Sequence, residues 1–200
     1  MAKIRLTDKV HSFQSNCYII SSDSECAVID PCVPYEASLL SGELRYILLT
    51  HAHFDHILDI DNWVENTGAT VIVSEHDQPS LSDPIRNCYK LYDGSERGYF
   101  GKTQGVNDGD LLPIGNETIR VISCPGHTIG SVSYLVGNDM FVGDTVFAGG
   151  GYGRCDLPTS SFTMLKDSIN KICALDEGIT MYPGHGTTTT IKQYKRDIGR

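Results

Sequence analysis

The sequence predicts an α/β fold in which two β-sheets pack face to face and helices cover their outer sides. Three observations support this prediction. Short aliphatic and β-branched runs recur along the chain, polar turn residues separate them, and amphipathic helical patterns follow two groups of these runs. Strands grouped in this way are typical of layered α/β domains. We expect the 200 residues to form one domain, residues 1–200.

The strands are predicted from runs that combine apolar side chains with turn residues at their ends. Ser22-Asp23-Ser24 and Gly115-Asn116 are examples of these turn sequences. The predicted strands are 3–6, 17–21, 26–30, 46–50, 70–74, 110–114, 118–123, 131–136, 140–143 and 179–182.

Helical periodicity predicts three helices, over residues 57–66, 162–175 and 190–197. In the first, Ile57, Ile60 and Val64 recur at intervals of three and four, which places them on one face. In the second, apolar residues recur at the same intervals after Thr159 and Ser160, which are typical helix-capping residues.

Composition excludes several classes of protein. Hydrophobic residues at 40%, charged residues at 20% and only 8 prolines exclude a disordered, collagen-like or coiled-coil chain. The net charge of −9 argues against nucleic acid or an anionic membrane as a partner. No apolar run reaches the roughly 20 residues that span a bilayer, and charges interrupt the start of the chain. Seven cysteines without a CxxC pair favour reduced thiols, so we expect a cytoplasmic protein.

The strongest chemical signal is a cluster of histidines in residues 50–56. An apolar strand precedes His51 and His53, and an amphipathic helix follows Asp55 and His56. Side chains two residues apart at a strand end point in the same direction, so His51 and His53 can bind one metal. Imidazole and carboxylate are ligands of Zn²⁺ and Fe²⁺ in sites that keep a position open for water.

Three more potential ligands follow predicted strands. His127, Asp144 and His185 each come directly after a strand or its turn, and glycine stands next to each of them. Glycine permits a sharp turn at a strand end, where the sites of layered α/β folds tend to lie. With the first cluster they make seven ligands, enough for two metals that share a carboxylate.

These motifs resemble those of the metallo-β-lactamase superfamily. The resemblance rests on residues 50–56, Pro125-Gly126-His127-Thr128, Gly143-Asp144-Thr145 and Pro183-Gly184-His185-Gly186, and it extends from about residue 16 to residue 190. It implies a four-layer αββα sandwich of the metallo-β-lactamase type, with the site along one edge of the two sheets.

The resemblance also implies two metal sites that share one ligand. The ligands it implies are His51, His53 and His127 for the first metal, Asp55, His56 and His185 for the second, and Asp144 between them. It further implies that Asp30, at the end of an early strand, orients a ligand histidine from outside the metal site.

Within the superfamily, residues 143–149 and 153–157 look like the glyoxalase II-like thioester hydrolases, with Cys155 where threonine is usual. The chain ends at Arg200, so we expect the short, single-domain type, which lacks the helical domain that binds glutathione. The implied cofactors are two divalent metals, zinc first, with iron or manganese as alternatives.

The implied reaction is hydrolysis of a small-molecule thioester or ester, with Asp55 and Asp144 as catalytic carboxylates. Two metals would lower the pKa of a shared water, and the resulting hydroxide would attack the carbonyl. A thiolate leaves readily because the pKa of a thiol is only about 8.5.

Four alternatives remain open. A persulfide dioxygenase, which uses one iron, shares the fold, and His56 and His185 do not exclude it. The second and third alternatives are a β-lactamase and a diiron flavoprotein. Both are disfavoured, because the common β-lactamases carry cysteine at the place of Asp144 and the diiron flavoproteins carry glutamate at the place of His53. A non-catalytic binding module usually loses ligands, whereas this chain keeps all seven. The oligomeric state and the acyl and thiol groups of the substrate are not predicted.

Residues 82–105 show no regular period, and long irregular segments in compact domains are often functional. We predict a flap beside the metals in which Arg86, Lys90 or Arg97 attracts a carboxylate of the substrate; a dimer contact is the alternative. Arg154, which follows the bridging aspartate in the sequence, is a fourth candidate for substrate binding.

Overall fold

The described residues, 2–7 and 13–200, form two six-stranded sheets in the computed structural model. The first sheet contains, in spatial order, β1 (Lys3–Leu6), β2 (Tyr18–Ser22), β3 (Glu25–Ile29), β4 (Glu43–Leu48), β5 (Thr70–Ser74) and β6 (Gln104–Val106). The first three strands are antiparallel, and β3 to β6 are parallel. The carboxyl ends of β3, β4 and β5 therefore lie at one edge of the sheet.

The second sheet contains the strands of the carboxyl-terminal half. They lie side by side in chain order: β7 (Leu111–Ile114), β8 (Glu117–Ser123), β9 (Val132–Val136), β10 (Asp139–Gly143), β11 (Thr180–Pro183) and β12 (Thr189–Thr190). Only β10 and β11 pair in parallel; the other neighbours are antiparallel.

Alternation of side chains along the strands creates the layers. In β2, Ile19 faces the core shared with α1, whereas Ile20 faces the core between the two sheets. Val28 and Ile29 divide in the same way in β3. A third core lies between the second sheet and the helices that follow it. The order is therefore helix, sheet, sheet, helix, which confirms the predicted αββα sandwich.

The structure contains five α-helices in its described part: α1 (Ile60–Thr67), α2 (Gln78–Leu81), α3 (Tyr89–Tyr92), α4 (Phe162–Cys173) and α5 (Ile191–Asp197). Trp63 of α1 is fully buried against the first sheet. Helices α4 and α5 cover the second sheet with Ile172, Ile191 and Tyr194.

The structure differs from the sequence-based expectation mainly in short elements. The first predicted helix begins at Ile60 and not at residue 57, because Phe54–His56 forms a 3-10 turn. The segment 82–105 contains the four-residue helix α3 and the start of the edge strand β6. A helix of four residues makes about one turn, and a strand of three residues is too short for alternation to be recognised. Such elements therefore leave no periodic pattern in the sequence.

None of the helices in the described ranges is both long and apolar enough to cross a membrane. All seven cysteines are free; six are buried, and Cys155 is half-buried.

Candidate metal centre and active site

The loop after β4 presents two histidines to the site. His51 and His53 are buried, and their ring centroids lie 4.7 Å apart. Ala52 between them is fully buried in the core beneath α1. The alternation of an extended chain therefore places both imidazoles on the side opposite to Ala52. The 3-10 turn that follows brings Asp55 and His56 to the same place.

Asp30 holds this loop from the end of the neighbouring strand β3. Its carboxylate accepts hydrogen bonds from the backbone N–H and the hydroxyl of Thr50, both at 2.8 Å. Asp30 Oδ2 also lies 2.8 Å from Nδ1 of His56. Because the carboxylate accepts here, Nδ1 of His56 is the donor in this contact, and Nε2 is the nitrogen left to face a metal ion. The position of Asp30 is the one that the resemblance implies for a residue orienting a ligand histidine.

The same reasoning assigns the lone pair of His51. The Thr50 hydroxyl donates its only proton to Asp30, so it accepts from Nδ1 of His51, 3.1 Å away. Nε2 of His51 therefore carries the lone pair. On the other side of the site, Nδ1 of His127 donates to the carbonyl of Arg154 at 2.8 Å, which leaves the lone pair on Nε2 of His127.

Asp144 lies at the centre of the ligands from the second sheet. It follows β10, and its carboxylate oxygens lie 3.5 Å from Nε2 of His56 and 3.6 Å from Nε2 of both His127 and His185. Nε2 of His185 lies 3.0 Å from Oδ2 of Asp55. Two ligands on one tetrahedral zinc ion, at about 2.0–2.1 Å from it, lie about 3.3 Å apart. The separations around Asp144 are therefore close to those of atoms that share a metal.

All seven predicted ligands come together in the structure. Three groups of donor atoms lie within 4.8 Å of one another: His51 with His53 and His127, His51 with His56 and Asp144, and Asp55 with His56 and His185. The first and third groups are the sets that the resemblance assigns to the two metals. The second contains Asp144 together with a histidine from each set.

The unpaired atoms of the cluster test whether a cation fits. Nε2 of His51, His53 and His56 and Oδ1 of Asp144 are buried and have no hydrogen-bond partner in the described ranges. Buried polar atoms are normally paired, and Nδ1 of His53 also lies 2.9 Å from Nε2 of His127, so ring nitrogens and a carboxylate oxygen face one another as the ligands of a metal do. The residues present therefore fit divalent metal ions.

The electrostatics of the cluster also favour positive charge. Burial lowers the pKa of His51 well below its usual value and that of His53 to about 3, so both are neutral. Burial alone would raise the pKa of Asp144, but His56 and the neighbouring histidines lower it below its usual range. Burial alone would lower the pKa of His56, whereas Asp30 and two further carboxylates raise it well above its usual value. The carboxylates thus stabilise a cation at this point.

Two polar residues that the sequence analysis did not identify support the ligand loops. Asp77, fully buried after β5, accepts hydrogen bonds from the N–H of Ala52 at 3.2 Å, the N–H of Gly130 at 3.1 Å and the hydroxyl of Thr128 at 2.7 Å. It therefore ties the loop of His51 and His53 to the loop of His127. Its place after a parallel strand, like that of Asp30, is the signal that could have identified it.

Asn16 supports the loop that carries His185. Its side-chain amide donates to the carbonyls of Pro183 at 2.9 Å and Gly186 at 3.0 Å. Gly184 between them approaches the cluster so closely that an added Cβ would overlap Oδ1 of Asp144. Only glycine lets this backbone pass beside the metal ligands.

A cavity of about 340 Å³ opens above the cluster. Five of the predicted ligands line it, together with Phe54, Cys88, Phe147, Tyr152, Arg154 and Leu157. Cys155, in contrast, is not part of the lining. A cavity of this size, with a few polar groups at one end and apolar walls, is typical of small-molecule sites.

Of the four predicted substrate-binding cations, the cavity brings only Arg154 to its lining. Arg86 lies 3.5 Å from Asp83, and Lys90 pairs with Glu96. The guanidinium of Arg97 lies 4.6 Å from the centre of the Tyr89 ring and lines a separate cavity. The predicted roles of these cations in substrate binding stay predictions.

Comparison with known proteins agrees with this geometry. The model of the metallo-beta-lactamase superfamily matches residues 12–185. The probable polyketide biosynthesis zinc-dependent hydrolase PksB of Bacillus subtilis is 30% identical, over 91% of this chain and 80% of its own length. Hydroxyacylglutathione hydrolase GloC of Haemophilus influenzae is 29% identical, over 94% of this chain and 92% of its own length. The crystal structure of the BLEG-1 B3 metallo-beta-lactamase is 31% identical, with a TM-score of 0.88 over 97% of both chains.

Proposed function

The chain belongs to the metallo-beta-lactamase superfamily of metal-dependent hydrolases, and we propose that it hydrolyses small-molecule thioesters with two divalent metal ions, zinc first among them. The observation that carries this proposal is the convergence of seven donor residues, Asp144 among them, at the floor of an open cavity. The similarity to a hydroxyacylglutathione hydrolase and to a zinc-dependent hydrolase supports the reaction class and the metal.

In this proposal His51, His53 and His127 would hold one metal, Asp55, His56 and His185 would hold the other, and Asp144 would be a ligand shared by both. Metals bound there would supply an activated water and would stabilise negative charge on the carbonyl oxygen. The chain's own residues fix the ligands. Asp30 and the Arg154 carbonyl set the proton positions of His56 and His127, so that Nε2 of each faces the site.

Asp55 is the residue that we assign to proton transfer. Its carboxylate lines the cavity and is 15% exposed, so a water in the cavity can reach it. Its Oδ2, at 3.0 Å from Nε2 of His185, is held in place by that contact. A thiolate leaving group needs little help from an acid, because its pKa of about 8.5 makes it a stable anion.

The deciding experiment measures metal content and activity on the same preparation. Protein purified without chelator is analysed for metals and then tested for thioester hydrolysis and for oxygen uptake with a persulfide. We expect two metals per chain, thioester hydrolysis and no oxygen uptake, with activity lost on chelation and restored by zinc. Oxygen uptake without thioester hydrolysis would show the persulfide dioxygenase alternative to be correct.

A β-lactam is the second candidate substrate, because the BLEG-1 structure is similar over almost the whole chain. Asp144 argues against it, since the common β-lactamases carry cysteine at that place. A chromogenic cephalosporin in the same assay separates the two. Hydrolysis of the cephalosporin at a higher kcat/KM than any thioester would favour the β-lactam.

A further inference from the structure

The cavity above the metal cluster has a polar floor and an apolar wall. The floor consists of ligand side chains, whereas the wall consists of Phe54, Cys88, Phe147, Tyr152 and Leu157. These wall residues come from three separate segments of the chain: the 3-10 turn after His53, the segment 82–105 and the loop after β10. A substrate whose reacting carbonyl lies on the floor must therefore place its neighbouring group against this wall.

Packing behind the wall holds it in place. The ring of Phe54 stacks on Tyr92 at a centroid distance of 4.3 Å and contacts Tyr89 at 5.6 Å. Across the cavity, the ring of Phe147 lies 6.2 Å from that of His185, and the N–H of Phe147 donates to the carbonyl of Gly151 at 2.9 Å. A wall fixed in this way loses little conformational freedom when a ligand binds.

The charges around the cavity do not favour a carboxylate at this wall. Arg154 is the cation among the described lining residues, and Asp156 already pairs with it through two hydrogen bonds of 2.9 Å. Arg86, Lys90 and Arg97 have partners elsewhere, as described above. The whole chain has a net charge of −9. A carboxylate at the apolar wall would lose water there and would have to compete with Asp156 for Arg154.

We propose that the wall formed by Phe54, Phe147, Tyr152 and Leu157 binds an uncharged aromatic or branched aliphatic group of the substrate. This inference rests on the proposed function and narrows it, because the preferred thioesters then carry an apolar acyl group and need no carboxylates on the thiol. Tyr152 and Leu157 both line the cavity from the loop after β10, and we expect them to contribute to the specificity for this group.

The first test measures binding without hydrolysis. Two stable thioether analogues of N-acetylcysteamine are compared by calorimetry with zinc-loaded and with metal-free protein, one bearing a phenacyl group and the other an acetonyl group. We expect the phenacyl compound to bind at least about ten-fold more tightly, in the range that a hydrophobic pocket achieves. Leu157→Ala and Tyr152→Ala should each remove most of this preference. Leu111→Ala, at an exposed leucine of β7, is the control and should keep it.

Equal binding of the two analogues would overturn the inference, and so would a preference that survives in both variants. A third analogue replaces N-acetylcysteamine by glutathione, which adds two carboxylates. If that analogue binds more tightly and the gain is lost in Arg154→Gln, the cavity binds the carboxylates through Arg154. This result would also overturn the inference.

The second test separates this inference from the proposed function. The phenylacetyl and acetyl thioesters of N-acetylcysteamine are assayed for hydrolysis under the same conditions. A kcat/KM at least about ten-fold higher for the phenylacetyl compound supports both proposals. No hydrolysis of either compound contradicts the proposed function, while the binding comparison still decides whether the wall takes an apolar group.

Discussion

At the scale of single residues, Asp144 connects the two halves of the site. Its carboxylate is the group that lies within 3.6 Å of histidines from both predicted metal sets, His127 on one side and His56 and His185 on the other. The side chain of His185, by comparison, is 35% exposed. It lies close to Asp55, which belongs to the predicted set of the second metal, and to Asp144. Removal of Asp144 should therefore affect both metals, and removal of His185 only one.

We predict that Asp144→Ala abolishes binding of two metals. It should also lower kcat/KM by more than about 100-fold, because loss of a residue that only orients a metal ligand already costs about 10- to 100-fold. His185→Ala should keep the first metal and lose less activity. Metal analysis after gel filtration and a thioester assay measure both effects. Two metals per chain in the Asp144 variant would contradict the bridging role.

Asp77 gives the second prediction at this scale. Asp77→Ala leaves the N–H groups of Ala52 and Gly130 buried without an acceptor, each at about 1–3 kcal/mol. We expect a loss of about 2–5 kcal/mol in the free energy of unfolding, together with weaker metal binding because two ligand loops lose their common anchor.

Urea unfolding and competition with a chromogenic chelator measure the two effects of Asp77→Ala. Asp77→Asn keeps one carbonyl oxygen and should recover part of the stability. Asp167→Ala removes an exposed carboxylate of α4 and serves as the control. Unchanged metal affinity in a folded Asp77→Ala protein would show that Asp77 has no part in positioning the ligands.

At the scale of elements, helix α4 supports the loop of His127. The N–H of Ser161, its capping residue, donates to the carbonyl of Gly126 at 2.8 Å, and the hydroxyl of Ser168 donates to the carbonyl of Pro125 at 2.7 Å. Gly126 has a φ of 138° and approaches α4 so closely that an added Cβ would overlap the backbone of Leu165. The position of His127 thus depends on a helix that carries no ligand.

We predict that Gly126→Ala displaces this loop and weakens the first metal site, with a loss of stability of about 3 kcal/mol or more from overlap and backbone strain together. Gly137→Ala is the matched control. Gly137 also has a positive φ, of 56°, but open space around it, so only backbone strain of about 1–2 kcal/mol is expected. Metal titration and thermal unfolding of both variants test this. Equal metal affinity in the two would contradict a role of α4 in holding His127.

The elements also show what sequence alone can predict. The ten predicted strands and three predicted helices are present, two strands with the predicted bounds and the other elements with shifted ends, because half-buried strands and amphipathic helices leave a clear period in the sequence. Strands β6 and β12 and helices α2 and α3 are too short for that. The histidine cluster could be predicted because ligands must be of particular residue types. Asp77 and the cavity wall could not, since their roles depend on which loops the fold brings together.

At the scale of the whole molecule, the site joins the two sheets. The predicted ligands come from loops of the first sheet, such as His51 and His56, and of the second sheet, such as Asp144 and His185. A metal bound between them would stabilise only the arrangement in which both sheets are packed. Metal binding and folding of the whole chain are therefore linked.

We predict that removal of metal destabilises the folded protein as well as inactivating it. A ligand that binds only the native state adds about 4 kcal/mol when its concentration is 1,000 times its Kd. For a chain of this size, that corresponds to a fall in Tm of about 8 °C or more after chelation. Without metal, the unpaired nitrogens of His51, His53 and His56 stay buried without a partner, which acts in the same direction.

Thermal unfolding followed by circular dichroism, with metal content measured before and after chelation, gives the shift in Tm, and zinc should restore the original Tm. The Asp144→Ala protein provides the control, because its Tm should respond much less to chelator. A wild-type Tm that stays constant when both metals have been removed would mean that the two sheets hold the ligand cluster together without help from the ions.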